Sequence, residues 1–206
     1  MTYKKVKRTL DIILSLIGLI ILSPLLLIVT IAIKLESKGP VIYRQDRLGL
    51  NGKVFKMYKF RSMYVGAEKG GVYETKGDSR VTRVGKFTRK TSIDEFPQFV
   101  NILKGDMSII GPRPTLTYHP WPFNEYTEEQ KKRFSIRPGV TGWAQINGRK
   151  DVAWDQRLAY DVEYVENFSF IFDLKIFFKT IIKVSTMKDN VNVGETAQKK
   201  DQSISF

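Results

Sequence analysis

The sequence predicts an α+β, mostly helical fold carried on an N-terminal membrane segment, with a small β-hairpin and amphipathic helices suited to an interface. Three observations predict it. Ile12 to Ile33 is an uncharged run of 22 residues. Val41 to Arg44 and Val54 to Phe60 are short β-rich stretches flanking a loop with Asn51-Gly52, the turn chemistry of a hairpin. Ser169 to Val184 carries apolar residues at helical spacing, with Lys175, Lys179 and Lys183 on one face.

The N-terminal run is broken only by Ser15, Gly18, Ser23, Pro24 and Thr30. As a straight helix it reaches about 33 Å, enough for a hydrocarbon core of about 30 Å. Pro24, near its middle, deletes one backbone hydrogen bond and crowds the carbonyl of Ile20, so a bend or break is expected. Ser23 can satisfy the freed group locally. Both flanks are basic: Lys4, Lys5, Lys7 and Arg8 precede the run, and Lys34, Lys38, Arg44 and Arg47 follow it. The positive-inside bias asks both ends to stay on the cytoplasmic face. A kinked span and a helix–break–helix that dips in and returns are both open on these grounds. Asp11 is expected to meet Lys7 and Arg8 on its own helical face, at headgroup level.

Beyond the hairpin, Val65 to Asp78 reads as a surface loop. Thr91 to Lys104 reads as a helix start and body, with Ser92 and Glu95 spaced as a capping box and Gly105 as the stop. Met107 to Thr115 and Arg137 to Arg149 read as rigid loops rich in Pro and Gly. Trp154 to Asn167 is an amphipathic helix, and Ser169 to Val184 is either an interfacial helix or a buried core helix. The expected organisation is a membrane segment over 1–39, a folded domain over 40–187 and a polar, disordered tail over 188–206.

The formal net charge is +13, and Met1 to Arg61 holds twelve Lys/Arg against three Asp/Glu. Such a patch implies an anionic partner. There is no cysteine, which excludes disulfides and a thiolate nucleophile. The single histidine, His119, lacks a G-x-S-x-G elbow and reads as a packing or surface residue. Nucleophilic and acid–base work therefore falls on carboxylates, Lys, Tyr, Ser or Thr.

Adjacent carboxylates at a helix start, Asp94 and Glu95, have an ordinary structural use: they offset the helix dipole. Their surroundings point elsewhere. Arg89 and Lys90 lie just upstream, and Arg113 stands between Pro112 and Pro114, which fix its backbone. Arginine suits bidentate phosphate recognition. Two carboxylates thus sit amid phosphate-binding chemistry in a chain with a membrane segment.

Six stretches in order resemble the monotopic phosphoglycosyl transferases, the bacterial polyprenyl-phosphate sugar-phosphate transferases. They are K-R-T-L-D (Lys7 to Asp11), Ser23-Pro24, Y-K-F-R-S-M (Tyr58 to Met63), S-I-D-E-F-P-Q (Ser92 to Gln98), L-K-G-D-M-S-I-I-G-P-R-P (Leu103 to Pro114) and R-P-G-V-T-G-W-A-Q-I-N-G-R (Arg137 to Arg149). The resemblance covers Tyr3 to Val184 and is to the minimal, small form.

The resemblance implies a re-entrant membrane helix at Ser23-Pro24 and a monotopic protein on the cytoplasmic face of the bacterial inner membrane. It implies that Asp94 attacks the β-phosphate of a UDP-sugar, that UMP leaves, and that polyprenyl phosphate collects the phosphosugar from the enzyme. Mg²⁺ is the implied cofactor, with Glu95 as dyad partner and Asp94 and Glu95 near the metal. Arg89 is the implied phosphate ligand, and Pro112, Arg113 and Pro114 fall at the nucleotide. Lys59, Arg137 and Arg149 are further phosphate-ligand candidates, unranked against structural ion pairs.

The expected partners are a UDP-sugar, polyprenyl phosphate and the phospholipid membrane. Nucleic acid is not expected: no binding motif occurs, and the charge lies beside the lipid segment. A membrane-tethered nucleic-acid binder or scaffold is the competing class. The oligomeric state is left open, with a homodimer among the options.

Overall fold

The computed structural model describes residues 3–70, 77–148 and 152–185. Arg149, the centre of the Val65 to Asp78 loop and the tail over 188–206 lie outside the described residues.

The membrane segment is one helix, α1 (Tyr3–Glu36), with Pro24 inside it. The expected break at Ser23-Pro24 does not interrupt the helix. The reason is local. The Ile20 carbonyl, which loses the N–H of Pro24, accepts a hydrogen bond from Ser23 Oγ at 2.8 Å, so the lost backbone bond is replaced. The stripe Asp11, Ser15, Val29 and Ile33 is buried against the rest of the chain. The opposite side is apolar and exposed, as at Ile21 (69%) and Ile28 (64%).

Lys7, Arg8 and Asp11 do not pair among themselves as expected. Each docks onto the body instead. Lys7 Nζ donates to Asp173 Oδ2 at 2.6 Å. Arg8 donates to the Ile102 and Leu103 carbonyls at 2.7 and 3.3 Å. Asp11 Oδ1 accepts from the Ile109 N–H at 3.0 Å. Orphan carbonyls at a helix end and an orphan strand N–H are stronger calls on these charges than an exposed pair worth a few tenths of a kcal/mol.

The other end of α1 is docked too. Glu36 accepts from the N–H groups of Arg83 and Val84 at 2.6 and 2.9 Å, at the start of α2 (Arg83–Lys90). Arg61, buried, donates to the Lys38 and Ser37 carbonyls at 2.6 and 2.8 Å. These residues follow α1 directly.

The hairpin is antiparallel: β1 (Ile42–Leu48) pairs with β2 (Val54–Phe60), Tyr43 facing Lys59 and Arg47 facing Phe55. Asn51 (φ 56°) and Gly52 (φ 72°) take the left-handed backbone that the turn needs. The two stretches read as loops each contain a short strand, β3 (Ser108–Ile110) and β4 (Gly139–Thr141), and these pair in parallel. Bracketing Gly and Pro hide such three-residue strands from a periodicity argument.

Helix α3 (Gln98–Lys104) ends at Gly105 (φ 93°), as expected. It leads from the Asp94-Glu95 turn to the docking point of Arg8. Phe99 of α3 packs so close to α1 that a Cβ on Gly18 would lie 3.1 Å from its ring. Val29 and Ile33 of α1 form a core cluster with Phe60 and Ile93. Each such side chain contributes about 1.5–3 kcal/mol when buried, and Ile93 adjoins the dyad, so packing against α1 fixes the site's height above the membrane helix.

The remaining helices are α4 (Glu128–Lys131), α5 (Trp143–Ile146), α6 (Trp154–Glu166) and α7 (Phe170–Ser185). A second cluster joins Ile110, Ile136, Trp143, Tyr164 and Ile176. In α7, Asp173 and Ile176 face this core. Ile171, Phe178 and Ile182 face outward. The lysine stripe covers the rim between the two faces: Lys175 and Lys179 lie 4.9 and 5.1 Å from the Trp143 ring centroid.

Candidate active site

Asp94 and Glu95 sit in a 3₁₀ turn, Ile93–Glu95, just ahead of α3. The expected capping box is absent. Ser92 is left-handed (φ 59°) and makes no side-chain cap bond. Glu95 turns instead toward charged partners, which bind a carboxylate more strongly than a neutral N–H does. Lys59 Nζ donates to Glu95 Oε1 at 2.8 Å. Arg113 donates to the same oxygen at 2.6 Å, and more weakly to Oε2 at 3.4 Å.

Asp94 is only 8% exposed. Among the described residues no group hydrogen-bonds to its carboxylate. Burial pushes its pKa up; Lys59, Arg89 and Arg113 pull it down, and Glu95 pushes it up further. The balance lies above the ordinary aspartate value. Burial also raises Glu95, but Arg113 and Lys59 outweigh it and hold that carboxylate well below its usual range. Environment therefore splits the pair into a firmly ionised, cation-bound carboxylate and an unbonded one that takes up a proton more easily.

Arg89, in the last turn of α2, is oriented by a bond from its Nε to Ser62 Oγ at 2.7 Å, and its charge acts on Asp94. Since Glu36 caps the start of α2, the membrane helix helps to place this arginine. Pro112 and Pro114 are buried while Arg113 between them is exposed and reaches Glu95. The prolines thus support the loop that presents Arg113.

Arg137 does not join the dyad. Its Nε donates to the Gly105 carbonyl at 2.8 Å, capping the far end of α3 beside Arg8. Orphan carbonyls at a helix C-terminus attract such cations. Arg149 lies outside the described residues.

One cation was missed by sequence reasoning. Arg47, at the end of β1, donates to the Pro114 carbonyl at 3.0 Å. Burial and Arg113 lower its pKa to about 10, with Glu95 opposing. The signal was there in alternation: Tyr43, Gln45 and Arg47 share the hairpin face of Lys59.

The donor set fits a magnesium ion. Glu95 Oε1 already carries two cations, which leaves Oε2 and the two oxygens of Asp94 as hard oxygen donors. Among the described residues no group of three or more His, Cys, Asp or Glu gathers as a closed metal cage. Mg²⁺ usually takes one or two carboxylates, substrate phosphates and waters, so none is needed.

A buried carboxylate without a hydrogen-bond partner among the described residues, acted on by Lys59, Arg89 and Arg113, lies beside a long apolar helix; such a set of groups suits the handling of an anion. The chain matches the model of the family described as bacterial sugar transferase over residues 2–187, and it belongs to that family. It is 45% identical over 183 residues to the UDP-glucose:undecaprenyl-phosphate glucose-1-phosphate transferase of Escherichia coli (strain K12), covering 86% of this chain and 39% of that protein. It is 45% identical over 188 residues to the UDP-N-acetylgalactosamine-undecaprenyl-phosphate N-acetylgalactosaminephosphotransferase of Aeromonas hydrophila, covering 89% and 44%. It is 43% identical over 180 residues to the uncharacterized sugar transferase EpsL of Bacillus subtilis (strain 168), covering 86% of each. The chain spans about two-fifths of the length of the first two relatives.

Proposed function

We propose that this chain transfers a sugar-1-phosphate from a UDP-sugar to polyprenyl phosphate, releasing UMP, through a covalent intermediate on Asp94. The observation that carries the reading is the unequal dyad: Glu95 is committed to Lys59 and Arg113, while Asp94 has no hydrogen-bond partner among the described residues and three cations act on it. In the first step an Asp94 carboxylate oxygen bonds to the β-phosphorus. The bond from that phosphorus to the bridging oxygen breaks, and UMP leaves with the electron pair. In the second step an oxygen of polyprenyl phosphate bonds to the same phosphorus, and the Asp94 carboxylate departs unchanged.

Lys59, Arg89 and Arg113 would neutralise the diphosphate and the charge on departing UMP. A bound Mg²⁺, held by Asp94 and Glu95 Oε2 with the substrate phosphates, would add Lewis-acid polarisation. The low exposure of Asp94 excludes water, which would otherwise intercept an acyl phosphate.

The docking of α1 supports a membrane placement with both of its ends on one side. Arg8 and Asp11 near one end, and Glu36 at the other, are held by the same body. A bend at Pro24 would let the apolar run dip into the bilayer and return, and the basic flanks favour the cytoplasmic face. The relatives' names give UDP-glucose and UDP-N-acetylgalactosamine as donors, and the sugar here is taken from that class. A pathway role in surface polysaccharide assembly suits such a product.

The test is UMP release from a panel of UDP-sugars with Mg²⁺ and polyprenyl phosphate, for the wild type and for Asp94→Asn. Release by the wild type alone supports the reading. Equal release by both would remove Asp94 from the mechanism. No release, together with salt-sensitive binding of a random duplex, would favour the membrane-tethered nucleic-acid binder instead.

A further inference from the structure

Four consecutive carbonyls of the Pro112–Thr115 segment are each tied to a different part of the fold. Pro112 O accepts from the Gly139 N–H at 2.9 Å. Arg113 O accepts from Arg133 Nη2 at 2.7 Å. Pro114 O accepts from Arg47 Nη1 at 3.0 Å. Thr115 O accepts from the Leu48 N–H at 2.9 Å. Two of these ties are ordinary strand-like backbone bonds. The two in the middle, the Arg113 carbonyl and the next one along the chain, are held by arginine side chains from distant parts of the sequence.

Arg133 is 3% exposed and its charge is met by Asp161, also 3% exposed, at 2.7 Å. Asp161 Oδ1 has no hydrogen-bond partner among the described residues. A buried pair with one oxygen unsatisfied is poor value as a stabiliser, because desolvating both ions offsets most of their attraction. What the pair does achieve is to hold a guanidinium fork rigidly under the backbone of Arg113. Arg47 acts from the other side, itself steered by a bond from Nη2 to Gln45 Oε1 at 2.5 Å.

We propose that Arg47 and Arg133, the latter set by Asp161, are positioning residues: they clamp the loop backbone so that the Arg113 side chain is aimed at Glu95 and at the bound diphosphate. The consequence is kinetic rather than merely structural. Arg113 is exposed and long, and a loose backbone would let it wander from the dyad. A misplacement of about 1 Å in such a group can cost as much as a hundredfold in rate. This inference rests on the transferase reading for its kinetic readout, and has a second readout that does not.

The test is a cycle in the full chain, in nanodiscs. Arg133→Met combined with Asp161→Leu removes the ion pair whole, so no lone charge is left buried and the fold is kept; Arg47→Met is the second variant. Each is expected to lower kcat/KM for UMP release at least about tenfold in the wild-type background, and less than about twofold in an Arg113→Ala background. The same loss in both backgrounds would show that neither residue acts through Arg113 and would overturn the proposal. Nitrogen NMR of the Arg113 guanidinium supplies the second readout. The order parameter of its Nε–H should fall in the Arg133→Met/Asp161→Leu variant, and an unchanged order parameter would also overturn the clamp. Absence of UMP release by the wild type would sink the transferase reading, and the Arg113 order parameter would then decide the clamp alone.

Discussion

The carboxylates of Asp94 and Glu95 are neighbours in the chain and opposites in their surroundings. Glu95 Oε1 accepts from Lys59 and Arg113 at 2.8 and 2.6 Å, while Asp94 accepts from no described group. The cations that quiet one carboxylate stand close enough to bias the other. The chemistry proposed for the site follows from that division.

Removing the quiet partner should disturb the site without removing the nucleophile. Glu95→Gln leaves Lys59 and Arg113 without their counter-charge and frees Arg113 to swing toward Asp94. The expected result is a fall in kcat of about a hundredfold with folding retained, read from UMP release and thermal unfolding side by side. Full activity would contradict a role for Glu95 in holding the cations.

The rate should rise with pH through the ionisation of Asp94, because only the carboxylate attacks phosphorus. That limb is expected above the ordinary aspartate value of about 3.9, since burial raises it. Lys59→Met removes the strongest opposing cation, so the limb should move to still higher pH; a move to lower pH would contradict the assignment. For stability the signs are opposite within the pair. The contribution of Glu95, with its lowered folded value, is full above about pH 4.3 and is lost as pH falls through that folded value. The contribution of Asp94, with its raised folded value, is full below about pH 3.9 and is lost as pH rises through it.

Arg61 closes the end of α1 with bonds to Lys38 O, Ser37 O and Ser37 Oγ at 2.6, 2.8 and 3.0 Å. Arg61→Ala should destabilise the folded chain by about 2–4 kcal/mol, because it removes three charge-assisted bonds made by a buried guanidinium. Thermal unfolding in nanodiscs reads this. An unchanged midpoint would show that the membrane helix is held in place by other contacts.

The outward face of α7, with Phe178 and Ile182, should lie in the lipid interface. The sequence has no cysteine, so a single Phe178→Cys can carry a unique spin label. Dissolved oxygen, which favours lipid, should relax this label more than a water-soluble nickel complex does, with the reverse at Glu166→Cys. Equal access at both positions would place α7 in water.

Much of this was legible beforehand, for identifiable reasons. Asn51-Gly52 dictated the hairpin, Gly105 ended α3, and the uncharged run announced α1. The dyad stood out through its company of arginines. Other features depend on contacts that no local pattern encodes. Ser92 and Glu95 have capping-box spacing, but Lys59 and Arg113 reach Glu95 from 36 and 18 positions away and win it. Arg137 could not be ranked between phosphate ligand and structural partner, because the Gly105 carbonyl to which its Nε donates lies 32 positions away. The lysine spacing of α7 was read correctly, while its partner, Trp143, came from another segment. Pro24 suggested a bend or break; helical structure continues through it, with the Ser23 hydroxyl donating to the Ile20 carbonyl.

The most direct test of the central claim withholds the lipid acceptor. The wild type is incubated with a UDP-sugar and Mg²⁺ alone, quenched, digested and analysed by mass spectrometry. The account predicts UMP stoichiometric with enzyme and a phosphosugar adduct on the peptide containing Asp94, discharged when polyprenyl phosphate is added. UMP formed only when both substrates are present, with no adduct on that peptide, would contradict it.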